Sequence, residues 1–220
     1  MTPTAQTVRS NLARVHERIA DAGGDPASIT VLAVTKGFGA EAPRAALDAG
    51  LTDLGENYAQ ELAGKAAQIG PAVPGPRWHF IGQLQSNKVR LVFDVVSCWQ
   101  SVDRSSLVRE IAKRAPGARI LVQVNATGEP QKGGCEPGDV DGLVDLAREA
   151  GLVVDGLMTV GRDGDESATA RAFADVAAQA DALDLAVRSM GMTADLELAV
   201  RAGATMVRVG SALFGPRPAR

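Results

Sequence analysis

Ile29-Thr-Val-Leu-Ala-Val-Thr-Lys36 is the stretch on which the architecture turns. It is short, apolar and rich in β-branched residues, and it ends in a lysine just before Gly37 and Gly39. That reads as a buried strand, Ile29–Thr35, whose last side chain emerges at a rim. Upstream, Val8, Leu12, Val15 and Ile19 recur at spacings of three and four, the stripe of an amphipathic helix. Thr2 reads as its cap with Pro3 at the first helical position, and Asp21-Ala-Gly-Gly24 ends it.

Downstream, the same kind of apolar run returns, each time followed by a helical pattern. The further strands are Thr52–Glu56, Trp78–Gly82, Val95–Val102, Arg119–Asn125, Val153–Thr159, Leu185–Met190 and Thr205–Val209. The helices between them fall near Ala40–Ala49, Ala59–Ile69, Asn87–Phe93, Ser105–Ala115, Asp139–Ala150, Glu166–Leu183 and Ala194–Ala202. Strand–helix alternation implies parallel strands joined by right-handed crossovers. Eight such units predict an α/β chain closed as a single (β/α)8 TIM barrel with an extra N-terminal helix. The Pro-rich piece Gly70–Arg77 reads as a loop between elements, so residues 1–220 are expected to form one domain.

Composition narrows the class. With 45% hydrophobic and 22% charged residues in 220, the chain has enough length and apolar content to bury a full core. A net charge of −3 without a Lys/Arg cluster argues against nucleic acid as a partner. No apolar run approaches a membrane span, and the segment Met1 to Arg9 lacks the pattern of a secretory signal. A cytoplasmic protein is expected. Cys98 and Cys135 form no CxxC pair and read as reduced thiols. His16 and His79 are the only histidines, which argues against a transition-metal site.

Two segments carry chemistry. Active sites of barrels are assembled at the C-terminal ends of the strands, where Lys36 would lie. Partial burial lowers an amine pKa and exposes a nucleophile able to condense with an aldehyde. A lysine in that place also often only snorkels to water. At the other end of the chain, Arg188-Ser-Met-Gly-Met-Thr-Ala-Asp195 follows strand seven, and Gly210-Ser211 follows strand eight. Thr193 reads as a helix N-cap with Asp195 in the first turn. Loops after strands seven and eight commonly hold phosphate, because free N–H groups and a helix dipole point at the anion. Ser189, Thr193 and Ser211 add hydroxyl donors, although each alone also fits ordinary turn and cap chemistry. Pairing of strand one with strand eight makes these segments neighbours. Together they suit a phosphorylated aldehyde anchored at one end and covalently held at the other. Arg208, on strand eight, is then placed to face a pyridine nitrogen.

At this level the sequence resembles the YggS/PROSC group, the pyridoxal phosphate homeostasis proteins. The resemblance covers nearly the whole chain. It rests on Ala33-Val-Thr-Lys36, Gly55-Glu-Asn-Tyr-Ala-Gln-Glu61, Trp78-His-Phe-Ile-Gly82 with Leu84-Gln-Ser-Asn-Lys88, Gly156-Leu-Met-Thr159, Ser189-Met-Gly-Met192 and Met206-Val-Arg-Val-Gly-Ser-Ala212. It implies a barrel of the alanine racemase N-terminal-domain type, with pyridoxal 5′-phosphate (PLP) as a Schiff base on Lys36. Arg208 would face the pyridine nitrogen. Ser189, Met192, Thr193, Gly210 and Ser211 would cradle the phosphate. Asn57 would lie beside the ring, and Met158 and His79 would line the mouth. Phe38 stands where many relatives carry a second lysine, and the Glu129–Cys135 loop adds a cysteine with no evident task.

The resemblance further implies a carrier or buffer of PLP in vitamin B6 homeostasis, with PLP-dependent apo-enzymes as recipients and no strong activity of its own. A racemase needs two positioned bases. Lys36 can serve one face, but the chain stops soon after strand eight, so the racemase's second domain and its opposing tyrosine are expected to be absent. A monomer is expected for the same reason. The alternatives are a PLP-dependent amino-acid racemase of weak or broad specificity and a Schiff-base aldolase whose phosphate site holds a sugar phosphate.

Overall fold

The computed structural model describes residues 2–70 and 75–217. Part of the Gly70–Arg77 loop therefore lies outside the described residues. Helix α1 (Ala5–Asp21) buries Val8, Val15 and Ile19, the stripe expected from the spacing. Its cap is Thr4 rather than Thr2: the Thr4 side chain accepts from the Thr7 N–H, so the helix begins beyond Pro3. Eight parallel strands follow: β1 (Thr30–Val34), β2 (Asp53–Glu56), β3 (Arg77–Phe80), β4 (Val96–Val102), β5 (Arg119–Gln123), β6 (Val153–Met158), β7 (Val187–Ser189) and β8 (Met206–Val209). They close in sequence order, with β8 hydrogen-bonded back to β1. The α/β barrel reading holds.

The outer layer consists of α2 (Glu41–Asp48), α3 (Ala59–Ile69), α4 (Ser105–Arg114), α5 (Val140–Glu149), α6 (Glu166–Ala182), α7 (Leu196–Arg201) and the short α8 (Ser211–Phe214). Between β3 and β4 the expected α-helix is instead a 3-10 helix, Ser86–Leu91. Its i→i+3 bonds, such as Lys88 N–H to Gln85 C=O, suit a link only six residues long. Helix α5 buries Val140, Leu143, Val144 and Ala147 as its pattern indicated. Most of the apolar core lies between strands and helices, where Trp78, Phe80, Trp99, Leu107, Ile111 and Phe173 are buried. Burial of an aromatic or aliphatic side chain there contributes roughly 1.5–3 kcal/mol.

The barrel interior is different in kind. Cys98, Leu121 and Met158 form a small separate apolar cluster. Around it lie buried polar residues: His79, Gln100, Gln123, Ser189 and Arg208. Strand β7 is the shortest of the eight, and β6 and β7 approach closely at Gly156. A Cβ there would sit 1.9 Å from the Val187 carbonyl oxygen. Gly156→Ala therefore forces β7 away from β6, and an increase in unfolding rate with a loss of about 1–3 kcal/mol in urea denaturation is expected.

Candidate functional site

Four loops and strand ends converge at the C-terminal face of the barrel. The β1–β8 register (Leu32 opposite Arg208, Ala33 opposite Val209) brings Lys36 beside Gly210 and Ser211. They share a cavity of about 360 Å³ with Asn57, Met158, Met192, Thr193 and Arg208. That volume falls within the usual range for small-molecule sites. Val34, Phe38, Ile81 and Val160 supply apolar wall, and Arg217 closes one side.

Lys36 is half-buried, and no salt bridge among the described residues engages it. Burial lowers its pKa, Arg217 and Arg208 lower it further, and Glu56 and Glu61 pull the other way. The net effect enriches the free amine at neutral pH, the state that attacks a carbonyl. The neighbouring Lys65 has the opposite situation. Its Nζ donates to Thr35 O at 2.7 Å and to Glu56 Oε1 and Glu61 Oε1 at 2.6 Å each. Glu56 also accepts from the Thr35 hydroxyl, and Glu61 accepts from Gly37 N–H. Lys65 thus clamps the residues on both sides of Lys36 and leaves Lys36 itself free. Burial nonetheless raises the Glu56 pKa, against the ammonium and hydroxyl that stabilise its charge.

Arg208 is buried, with 4% exposure. Its Nη1 donates to Ser189 O and Ser189 Oγ, and its Nη2 to Thr159 O. These acceptors are neutral. Burial pushes its pKa down to about 10, with only the more distant Asp195 opposing. A guanidinium has five N–H donors, so donor capacity remains for an acceptor in the cavity. Asn57 Oδ1 is likewise buried with no hydrogen-bond partner among the described residues. Gly82 makes that placement possible, since a Cβ would lie 2.3 Å from the Asn57 carbonyl oxygen.

One end of the cavity is formed by two turns. Ser211 Oγ donates to Thr193 Oγ1 at 3.3 Å, joining the β7 and β8 loops. Helix α8 begins at Ser211 without a side-chain cap, so its first N–H groups are not met by one. Thr193 is not an N-cap: that position belongs to Asp195, whose carboxylate accepts from Met192 N–H. The Met192 N–H is thereby already engaged, while its side chain lines the cavity.

Two expected residues sit elsewhere. Ser189 is fully buried and does not line the cavity; its hydroxyl lies between Arg208 and Gln100. It supports Arg208 rather than an anion directly. His79 lies towards the opposite end of the barrel, in a cavity of about 220 Å³ with Asp53, Arg77, Arg119, Val187 and Met206, each the first residue of its strand. Its Nε2 bonds Asp53 at 3.0 Å. Alternation along β3 points His79 inward, but it is the Asp53 contact that draws it to the floor. Conversely, Arg217 and Phe38 belong to the cavity without having been singled out for it. Phe38 packs on Phe214 of α8 with ring centroids 5.6 Å apart, so the apolar residue in place of a lysine ties the β1 loop to the C-terminal turn. The sequence signal for Arg217 was its position just after Gly215-Pro216, directly beyond the turn that follows β8.

Both cysteines are free and buried. Burial pushes each thiol up to about 12. Cys135 has a structural place: it bridges to Val124, its N–H donating to Gln123 O while its carbonyl accepts from Asn125 N–H. Neither thiol is expected to react with a thiol-selective chromogen in the native protein at neutral pH, and both should react after denaturation.

A model of the alanine racemase N-terminal domain family matches residues 4–218. The pyridoxal phosphate homeostasis protein of Pseudomonas aeruginosa is 39% identical, the match covering 99% of this chain and 97% of that one. The chain belongs to the pyridoxal phosphate homeostasis family. Its Escherichia coli K12 member is 36% identical over 96% of this chain and 97% of its own. Among solved structures, an unknown protein from Bifidobacterium adolescentis superposes with a TM-score of 0.84 at 34% identity, covering 96% of this chain and 95% of that one. PipY of Synechococcus elongatus with PLP bound gives 0.76 at 31% identity, covering 91% of this chain and all of PipY. Alanine racemase from Corynebacterium glutamicum shares the fold with a TM-score of 0.75 at 14% identity, over 98% of this chain and 62% of the enzyme. Among the described residues no helix is long and apolar enough to cross a membrane, and no His/Cys/Asp/Glu group is arranged to hold a metal ion.

Proposed function

We propose that this protein binds PLP in the Lys36–Arg208 cavity, as a single barrel domain spanning residues 1–220, and serves PLP homeostasis as a carrier or buffer. The observation that carries the reading is the convergence, in one cavity, of a free half-buried amine, an unneutralised buried guanidinium and the turns after β7 and β8. Each suits a different part of one molecule. Lys36 would hold the aldehyde carbon as a Schiff base, Arg208 the ring nitrogen, and Asn57 a ring substituent. Thr193, Gly210, Ser211 and the start of α8 would take the phosphate. Two cations, Arg208 and Arg217, give the cavity the potential an anionic ligand needs. PLP supplies an electrophilic aldehyde and an electron-withdrawing ring, and an arginine partner at the nitrogen weakens the latter.

The PLP-bound PipY structure and the names of the relatives support this reading. The racemase alternative requires a second base opposite Lys36. The single tyrosine, Tyr58, is 52% exposed and lines the adjoining cleft with Lys88 and Arg104 instead. Delivery to PLP-dependent apo-enzymes, a monomeric state and a cytoplasmic location belong to the same reading. The test is titration of the PLP-free protein with PLP, followed by visible absorbance and equilibrium dialysis. Saturable binding at one site per chain supports the proposal. A protein that takes up no PLP, or that racemises alanine robustly in a Lys36-dependent way, contradicts it.

A further inference from the structure

A line of hydrogen-bonded polar side chains runs through the inside of the barrel from its floor to Arg208. Arg77 and His79 meet at Asp53 on the floor, with Arg77 Nε 2.8 Å and His79 Nε2 3.0 Å from Asp53 Oδ1. His79 Nδ1 lies 2.7 Å from Gln100 Nε2. The Ser189 hydroxyl donates to Gln100 Oε1 at 2.7 Å, and Arg208 Nη1 donates to Ser189 Oγ at 2.9 Å. Gln100 also reaches the sulfur of Met206, 3.1 Å away. Strand β4, which carries Gln100, stands opposite β8 in the closed order, so these side chains can meet only across the interior.

Barrel interiors are usually filled by branched apolar residues. His79, Gln100, Ser189 and Arg208 are each less than 9% exposed here. Buried polar groups are tolerated when every member is satisfied, and a fully satisfied network fixes a unique arrangement. With Gln100 Oε1 facing the Ser189 hydroxyl, the chemistry of the two ends fits one set of roles between them. Arg208 can only donate, so Ser189 Oγ accepts from it and turns its own proton to Gln100 Oε1. That fixes the Gln100 amide with its NH2 towards His79. Nδ1 of His79 must then accept, so the proton sits on Nε2 and is donated to the Asp53 carboxylate, which can only accept. The chain has one direction.

We propose that Gln100, with Ser189 and His79 on either side, is a positioning device that holds the Arg208 guanidinium in the orientation needed at the cofactor ring. None of the three lines the cavity; they act through Arg208. The assignment rests on the PLP site proposed above. Losing Gln100 leaves the Ser189 hydroxyl free to rotate and the His79 acceptor unmet, and Arg208 loses the neighbour that fixes its acceptor.

The test is a mutant cycle read by PLP dissociation constant and by the visible spectrum of the bound cofactor, in wild type, Gln100→Leu, Ser189→Ala, Arg208→Leu and the double variant Gln100→Leu/Arg208→Leu. Gln100→Leu and Ser189→Ala are each expected to weaken PLP binding about tenfold, as loss of a buried hydrogen bond does, and to shift the absorption maximum. In the Arg208→Leu background Gln100→Leu should add less than about twofold, since residues acting through one group are not additive. Wild-type affinity in Gln100→Leu, or an undiminished effect without Arg208, overturns the proposal. If Gln100→Leu does not fold, Ser189→Ala with and without Arg208 asks the same question. A cofactor-free readout separates this inference from the binding proposal: imidazole nitrogen shifts in the apo-protein should report the Nε2–H tautomer of His79. Finding Nδ1–H refutes the chain whether or not PLP binds, whereas failure of wild type to take up PLP refutes the binding site.

Discussion

Replacing Lys36 by alanine is expected to abolish covalently held PLP and to weaken PLP binding by about two orders of magnitude, roughly 3 kcal/mol. The Schiff-base absorption band should be lost, and borohydride should fix none of the cofactor to the protein. Weak binding should persist, because the residues proposed for the phosphate, Thr193, Gly210 and Ser211, lie on other elements. The fold should be little changed, since Lys36 makes no salt bridge among the described residues that its loss would strand. The sign of the pH dependence follows from its surroundings. Burial and the two arginines lower the amine pKa, so proton loss, and with it Schiff-base formation, extends to lower pH than for an exposed lysine. Absorbance of the wild type across a pH series, with dialysis of Lys36→Ala, checks both points. Full retention of the band in the variant would place the linkage on another lysine.

The largest effect on stability is expected from Lys65→Met. Lys65 is 3% exposed and Glu56 fully buried, and removing the ammonium leaves that carboxylate unpaired. Breaking a buried pair from one side costs about 3–5 kcal/mol. In a chain of this size that lowers the melting temperature by roughly 10 °C. The damage also reaches the site. Thr35 O loses its donor, and Glu61, no longer held by Lys65, is free to release Gly37 N–H. PLP affinity should therefore fall although Lys36 is intact. Combining Lys65→Met with Glu56→Gln should recover part of the stability, because the stranded charge is gone while an acceptor for the Thr35 hydroxyl remains. Thermal and urea denaturation of the three proteins decides this. A double variant no better than the single would show that the cost comes from lost packing and not from an unpaired carboxylate.

The two lysines illustrate what a sequence discloses and what it withholds. The Ile29–Lys36 run marks a strand end, and barrel closure then puts that end beside the Gly210-Ser211 turn, so Lys36, Arg208 and Ser211 could be brought together from pattern alone. Lys65 gives no such sign. It shares the buried stripe of α3 with Ala59 and Leu62, but nothing in the helix pattern shows that Glu56 of the preceding strand and Glu61 one turn back meet it in space. Periodicity behaves similarly with His79. It assigns the inward face of β3 but not the height along the barrel axis, which the Asp53 contact sets at the floor. Ser189 is in the expected strand, yet its hydroxyl is committed to Arg208 and Gln100, a direction no local pattern encodes. Gln100 is a polar residue in an otherwise strand-like run, legible only once β4 and β8 are known to face each other.

The most direct measurement is peptide mapping by mass spectrometry of the wild-type protein, loaded with PLP, reduced with borohydride and digested. A single phosphopyridoxyl adduct, on Lys36, is expected. An adduct on Lys65, Lys88 or Lys132 with Lys36 unmodified, or release of all the PLP after reduction, would contradict it.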